Sequence, residues 1–95
     1  MKPSDILNRA AEVIIERGWA GYPATGLVRT DPVCTLGAIC LVEPKSTTAR
    51  QTALHLVDDL VGCNVEIWND RPETTEAMAI GVLHEAALLA KEAGE

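Results

Sequence analysis

Three side chains in the middle of the chain have types and a spacing that suit acid–base or metal chemistry. His55, Asp58 and Asp59 lie within five residues of one another, and side chains three or four positions apart are neighbours on a helix. An imidazole beside carboxylates can bind a metal ion or share a proton, but a metal site needs further ligands. Only His84 is otherwise available among the histidines. An exposed helix face carrying a His–Asp pair is therefore the simpler interpretation, and we expect no metal site here.

The three cysteines, Cys34, Cys40 and Cys63, have no C-x-x-C spacing, which argues against a zinc ribbon and a secreted disulfide scaffold. Cys34 and Cys40 are six residues apart on a predicted helix. Their side chains therefore point about 120° apart and are separated by about 9 Å along the axis, too far for a shared metal ion or a disulfide. Cys63 has the freedom to pair with either, but unpaired thiols are common as small core residues. We predict three free thiols.

A serine nucleophile and a phosphate-binding loop are not supported either. Ser4 and Ser46 lie at a predicted helix start and in a predicted turn, and neither has a histidine and an acid beside it in the sequence. The segment G-Y-P-A-T-G at residues 21–26 contains proline and does not join a strand to a helix, as a phosphate-binding loop does. The sequence thus predicts no catalytic residue and no cofactor.

The tripeptide Trp68-Asn69-Asp70 has two interpretations. In the first, Trp68 is a core residue, and Asn69 and Asp70 are turn residues, with Asp70 and Glu73 spaced like a capping box. In the second, the aromatic ring beside polar groups forms a recognition corner for another protein. Trp19 and Trp68 are the largest side chains in a chain without Phe, so we expect both to be mostly buried, with an indole N–H bonded to a carbonyl.

The composition predicts one helical domain that spans residues 1–95. A chain of 95 residues with 47% apolar residues has enough apolar surface for one core. The core must be built from Leu, Ile, Val and Ala, since Phe is absent and Tyr and Trp are few. Ala, Leu and Glu are strong helix formers. We therefore expect an all-α fold, a compact bundle of helices.

Apolar periodicity and capping residues predict four main helices, near residues 5–17, 32–42, 48–61 and 75–92. Gly18 and Gly62 follow the first and third helices, where glycine commonly ends a helix. Residues 65–68 form a short apolar piece that has room for one helical turn, and residues 92–95 are expected to fray. The predicted N-terminal caps are Ser4, Asp31 with Pro32 following, Thr47 or Thr48, and Thr74 or Thr75.

The second predicted helix, V-C-T-L-G-A-I-C-L-V, is apolar on nearly every side, which is typical of a helix surrounded by others. A buried strand is the alternative, but the Asp-Pro start and the Leu-Gly-Ala centre favour a helix. We expect it to be the central helix, with Leu36, Ile39 and Cys40 inside. Gly37 in the middle of a helix costs about 1 kcal/mol relative to Ala, and close approach of another backbone would offset that cost.

The net charge of −6 belongs entirely to one half of the chain. Residues 1–47 carry five basic and five acidic side chains, whereas residues 48–95 carry three basic and nine acidic ones. An acidic surface repels phosphate, so we expect no direct binding of DNA or RNA. It attracts a basic protein partner, or it serves solubility alone. The residues we assign to such an interface are Asp58, Asp59, Trp68, Asn69, Asp70, Glu73 and Glu76.

Three sequence elements together resemble those of a family of small uncharacterised proteins of actinobacteria and of the bacteriophages that infect them. They are a first helix ending in Gly18-Trp19, the run Cys34-Thr35-Leu36-Gly37-Ala38-Ile39, and Trp68-Asn69-Asp70 followed by a Thr-capped last helix. The resemblance covers nearly the whole chain. It implies a cytoplasmic protein encoded by a phage or a mobile region of a bacterial genome, and it supplies no activity.

The functional expectation is an interaction or regulatory protein of the cytoplasm that binds a host or phage protein through its acidic half. The first residues lack the apolar run of a signal peptide, and the longest uncharged apolar stretch, residues 33–42, is half the length of a membrane span. Two alternatives stay open. One is a small enzyme or small-molecule binder whose site forms across a homodimer, and the other is a structural homodimer with no other partner.

Overall fold

The computed structural model describes residues 1–22, 24 and 31–95, and the regular secondary structure of this part is helical. The predicted all-α bundle of four main helices is confirmed, and residues 65–68 belong to a fifth, short helix. Most of the predicted loop at residues 19–30, including Gly26, lies outside the described residues. In chain order the helices are α1 (Pro3–Arg17), α2 (Thr35–Val42), α3 (Thr48–Val61), α4 (Val65–Asn69) and α5 (Glu76–Glu92).

The core lies where α1 packs against α5, α2 and α3. Elsewhere in the bundle α3 contacts α5. Helices α2 and α4 contact each other, and both of them contact α3. The fully buried core is made of Ile, Leu and Val together with eight alanines and Trp68. Small side chains let helix axes approach closely, so a chain without Phe still fills its interior. The largest buried apolar side chains are Ile6, Leu7, Ile14, Ile39 and Leu83.

The predicted Ser4 cap is wrong, because α1 begins two residues earlier. Lys2 is the N-cap residue and Pro3 occupies the first helical position, where its missing N–H is no loss. Ser4 instead uses its hydroxyl to donate to the carbonyl oxygen of Glu95, at 3.1 Å, and its backbone N–H donates to the same oxygen at 3.3 Å. Residues 92–95, which we expected to fray, are therefore bonded to the start of α1.

The second helix begins at Thr35 and not at Pro32. Val33 forms a parallel β-bridge with Trp19: its N–H donates to the carbonyl of Gly18 at 3.1 Å, and its carbonyl accepts from Ala20 N–H at 2.9 Å. This bridge keeps Val33 extended and delays the helix. Cys34 then becomes the N-cap residue, and its Sγ accepts from the backbone N–H of Gly37 at 3.1 Å.

The late start of α2 changes the place of Gly37 and of the neighbouring side chains. Gly37 is buried in the first turn of the helix rather than at its middle. None of the eight residues of α2 is exposed, and Ile39 is completely buried as predicted. Leu36 and Cys40, which we expected inside, are only partly buried. They lie one turn apart and so share the outer side of the helix.

The caps of the later helices agree with the sequence. Thr47 caps α3 with its Oγ1, which accepts from Arg50 N–H at 3.2 Å, and Gly62 ends α3 in the left-handed conformation with φ of 79°. Thr75 caps α5, and its hydroxyl accepts from Met78 N–H at 3.2 Å. Because α5 begins only at Glu76, the expected capping box of Asp70 and Glu73 does not form.

No helix in the described part of the chain combines the length and the apolar character that crossing a membrane requires.

The burial pattern of α2 predicts different costs for truncating two of its apolar side chains. Ile39→Ala should lower the free energy of unfolding by about 2–5 kcal/mol, as expected for a cavity in a closed core. Leu36→Ala should cost about half as much or less, because part of the Leu36 side chain already contacts water. Urea denaturation of both variants checks this, and equal losses would mean that Leu36 is as enclosed as Ile39.

Candidate interaction surface

Most carboxylates of the C-terminal half are exposed to solvent, and within the described residues they form no ion pair. Asp59, Glu73 and Glu76 are exposed, and Asp58 is partly buried. Among the described residues, the ion pairs are those of Arg9 with Glu12 and with Glu16, all three of them on α1. These pairs raise the pKa of Arg9, chiefly through the hydrogen bonds that it donates to Glu12 and Glu16. The negative charge of residues 48–95 is therefore left uncompensated within the described part.

The two arginines of the acidic half bind atoms other than carboxylates. Arg50 donates to the backbone carbonyls of Glu43 at 3.2 Å and Pro44 at 3.0 Å, so it fixes the turn before α3. Arg71 lies 3.5 Å from the Sγ atom of Cys63. Both guanidinium groups are thus used to hold turns, and the acidic surface keeps its full excess of charge.

Only one residue of the predicted Trp68-Asn69-Asp70 corner is exposed. Trp68 belongs to the core with 7% of its surface accessible, and Asn69 is buried at 1%. Asp70 is exposed, and its Oδ1 accepts from the backbone N–H of Tyr22 at 2.8 Å. The prediction of a recognition corner is therefore revised. Trp68 and Asn69 are buried beneath the surface, and of these three residues Asp70 is the one exposed to solvent.

The side chain of Asn69 joins three separate segments of the chain. Its Oδ1 accepts from Trp19 Nε1 at 2.8 Å, from the backbone N–H of Thr35 at 2.9 Å, and from the Thr35 hydroxyl. Its Nδ2 donates to the backbone carbonyl of Ala20 at 3.1 Å. Trp19 Nε1 also lies 3.3 Å from Thr35 Oγ1. Asn69 therefore ties the end of α4 to the first turn of α2 and to the segment after α1.

This cluster unites the three sequence elements that carry the family resemblance. Gly18-Trp19, the run that begins Cys34-Thr35, and Trp68-Asn69-Asp70 are far apart in the sequence, but the hydrogen bonds of Asn69 bring them together. The expected bond from an indole N–H to a carbonyl exists, with the side-chain amide of Asn69 as acceptor. Thr35 was not recognised from the sequence, since no spacing rule relates it to a residue 34 positions away.

An open groove of about 320 Å³ lies between α3, the start of α4 and the first turn of α2. On α3, Gln51, Leu54, His55 and Asp58 are spaced by three or four positions and share one face. The groove combines apolar side chains with two carboxylates, and no lysine or arginine is among the described residues that line it. It is lined by Leu36, Gln51, Leu54, His55, Asp58, Asn64, Val65 and Glu66, and we refer to it as the acidic groove.

One carboxylate of the acidic groove also has a structural role. Oδ1 of Asp58 accepts from the backbone N–H of Val65 at 2.8 Å. The backbone carbonyl of Asp58 accepts from Gly62 N–H at 2.9 Å. These two bonds fix the turn from α3 to α4 and hold Asp58 at the edge of the groove. His55 and Asp59 are exposed, and within the described residues no three His, Cys, Asp or Glu side chains converge as a metal site.

A second open groove, of about 720 Å³, lies on the neutral half of the chain. The pair of Arg9 and Glu16 at 3.2 Å lies within it, and Arg17 donates to the carbonyl of Asp31 at 3.0 Å beside it. Both positive and negative side chains line this groove, so its electrostatic potential does not have one sign. Its lining residues are Met1, Arg9, Val13, Glu16, Arg17, Leu41 and Val42.

The three cysteines are free thiols in different surroundings. Cys34 is buried, with 1% of its surface accessible, whereas Cys40 and Cys63 are partly exposed. Burial raises the pKa of the Cys34 thiol, and the hydrogen bond that its sulfur accepts from Gly37 N–H acts in the opposite direction. Cys34 is thus a helix cap in the core, with its neutral form favoured.

The family model that matches the chain is that of the family of unknown function DUF6197, and it aligns with residues 1–89. No curated protein and no solved structure matches the chain.

The Asn69 cluster predicts a large effect of a single truncation. Asn69→Ala removes the acceptor of the buried backbone N–H of Thr35 and the nearer acceptor of the partly buried Trp19 indole N–H, so it should lower the free energy of unfolding by about 2–4 kcal/mol. Asn64→Ala is the control: Asn64 is exposed and makes no side-chain capping bond, so it should cost less than about 0.5 kcal/mol. Similar losses in urea denaturation would contradict a central role for Asn69.

Thiol reactivity should separate the cysteines. With a thiol reagent at pH 8, Cys40 and Cys63 should react in the folded protein. Cys34 should react only on unfolding, because it is buried and its thiolate is disfavoured. The pKa of the Cys34 thiol is raised in the folded state. The protonated thiol therefore contributes to the free energy of unfolding at neutral pH, and this contribution is lost as the pH rises above the pKa of an unfolded thiol. Mass spectrometry of the labelled peptides identifies the slow residue, and fast labelling of Cys34 would contradict its burial.

Proposed function

We propose that this chain, which belongs to the family of unknown function DUF6197, is a small interaction protein that binds a basic protein partner through its acidic C-terminal half. The observation that carries the proposal is the uncompensated charge of residues 48–95. Residues 48–95 carry nine carboxylates and three cationic side chains. No ion pair of the described residues involves those carboxylates.

Electrostatics explains how such a surface would select its partner. A surface of one sign speeds the encounter with an opposite charge and opposes the approach of other acidic molecules. The effect extends over about 10 Å at 0.1 M salt and decreases as salt increases. Binding should therefore be strongest for a partner with a basic face, such as a protein that itself binds nucleic acid.

The resemblance to proteins of actinobacteria and their phages gives the proposal a setting. A protein encoded by a phage would act in the host cytoplasm, and its partner would be a host or phage protein. A small protein with an acidic face is suited to occupy a basic surface that otherwise binds another molecule, and so to change the behaviour of its target.

The two alternatives to this function remain separate predictions. An enzyme or small-molecule binder formed across a homodimer, and a structural homodimer without another partner, both require a stable dimer. The mass in solution, measured by light scattering across a range of concentrations, separates them from a monomer that binds other proteins.

Charge reversal tests the proposed partner surface. Asp59→Lys, Glu73→Lys and Glu76→Lys change three exposed carboxylates, and together they should abolish capture of basic proteins from an actinobacterial lysate at low salt. The fold should survive, because none of the three makes a side-chain hydrogen bond or an ion pair within the described residues. Asp58 is omitted from the variant, since its reversal would break the bond to Val65.

The matched control makes the same change of charge on the neutral half, with Asp5→Lys, Asp31→Lys and Glu43→Lys, and it leaves the pairs of Arg9 with Glu12 and Glu16 intact. This variant should capture the same proteins as the unmodified chain. Quantitative mass spectrometry of the captured proteins, at low and high salt, is the measurement. If the first variant captures as much as the unmodified chain at both salt concentrations, the acidic half is not the binding surface.

A further inference from the structure

We infer that the acidic groove binds an arginine side chain of the partner protein. This inference rests on the proposed function, because it names the chemical group through which a basic partner would be recognised. It starts from a groove in which carboxylates, acceptor amides and exposed apolar surface lie together, between α3, the start of α4 and the first turn of α2.

The apolar part of the groove suits the stem of a long side chain. Leu36 and Leu54 are partly buried and line the groove. They leave apolar surface in contact with water in the folded chain. Arginine buries its three methylene groups along such a surface while its charged head reaches polar partners. A small inorganic cation would leave this apolar surface exposed to water.

The polar part of the groove suits a guanidinium group. Asp58 and Glu66 provide carboxylate oxygens, and Gln51 and Asn64 carry side-chain amide oxygens. Within the described part of the chain, Oδ1 of Asp58 is the one of these acceptors that has an internal donor, the N–H of Val65, so acceptor capacity is left over. A guanidinium has five N–H donors in a planar fork and no acceptor. A guanidinium group can therefore bond to several acceptors that lie apart from one another better than the compact ammonium group of lysine can.

Two further observations exclude other occupants. A metal ion needs converging ligands, and no three His, Cys, Asp or Glu side chains converge in this way within the described residues. An anion would meet two carboxylates and no cation among the lining side chains. The volume of about 320 Å³ lies at the lower end of the range for ligand sites, about 300–1,000 Å³. It accommodates one long side chain of a bound protein.

The test uses acetyl-Gly-Arg-Gly-amide as the probe, titrated at low salt into the full chain labelled with ¹⁵N. The expected result is a saturable change of amide chemical shifts confined to the groove, at residues such as Leu54, Asp58 and Glu66. The peptide with citrulline in place of arginine has nearly the same shape without the charge, and it should produce no saturable change. The lysine peptide should bind more weakly than the arginine peptide.

Substitutions that keep the shape locate the site. Asp58→Asn retains an oxygen that accepts from Val65 N–H, and Glu66→Gln is nearly isosteric. Together they should weaken binding of the arginine peptide about fivefold or more, since charge-assisted hydrogen bonds are lost. Glu66→Gln alone provides a second variant that leaves the turn from α3 to α4 unaltered.

The matched control is Glu85→Gln with Glu92→Gln. These two exposed carboxylates lie on α5 outside the groove and outside the predicted interface, and their removal makes the same change of net charge. Binding of the arginine peptide should weaken less than twofold. A specific groove and a diffuse acidic surface therefore give different results.

The outcomes distinguish this inference from the proposed function. Equal weakening by the groove and control variants, shifts that map outside the groove, or equal binding of the citrulline peptide would each overturn the arginine site. In those cases, loss of capture by the charge-reversed variant would still support the acidic partner surface. If capture also survives charge reversal, the proposed function fails as well.

Discussion

The side-chain amide of Asn69 is the interaction on which the arrangement of the shorter elements depends. It is almost completely buried and bonds to Trp19, to Ala20 and to both the backbone and the hydroxyl of Thr35. A buried polar group is tolerated only when it is satisfied, and here one amide accepts from two segments, at Trp19 and Thr35, and donates to the carbonyl of Ala20. All five helices contribute buried apolar side chains to the core, and this polar cluster in addition fixes α2 and α4 to each other and to the segment after α1.

The placement of α2 and α4 creates the acidic groove. With Thr35 fixed at the start of α2, Leu36 in the same turn lines the gap beside α3 while it packs partly against the core. The bond from Val65 N–H to Asp58 fixes the start of α4 on the opposite side. Glu66 then lies in the same groove as Asp58. A cluster that stabilises the fold thereby also positions the groups that we propose recognise a partner.

The N-terminal and C-terminal halves of the chain have different physical roles. Residues of α1 contact three other helices, and Arg9 on this helix is paired to Glu12 and Glu16. The charges of residues 1–47 sum to zero. The C-terminal half covers this core and presents its carboxylates to water. Exposed charges contribute little to stability, so the excess of acid on that surface is open to serve recognition or solubility without a large effect on folding.

The sequence by itself determined the helical class, the four main helices and most of their ends, because periodicity, threonine caps and glycine stops act within a few residues. Thr47, Thr75 and Gly62 illustrate this. It did not determine the start of α2, the burial of Asn69 or the groove. Each of these depends on partners far along the chain: the bridge from Val33 to Trp19, and the bonds from Asn69 to Thr35. Such contacts have no periodic signature, since they exist only after the helices have packed. The charge asymmetry was visible in the sequence, but only the tertiary structure decided which acidic groups lie in one groove beside Leu36.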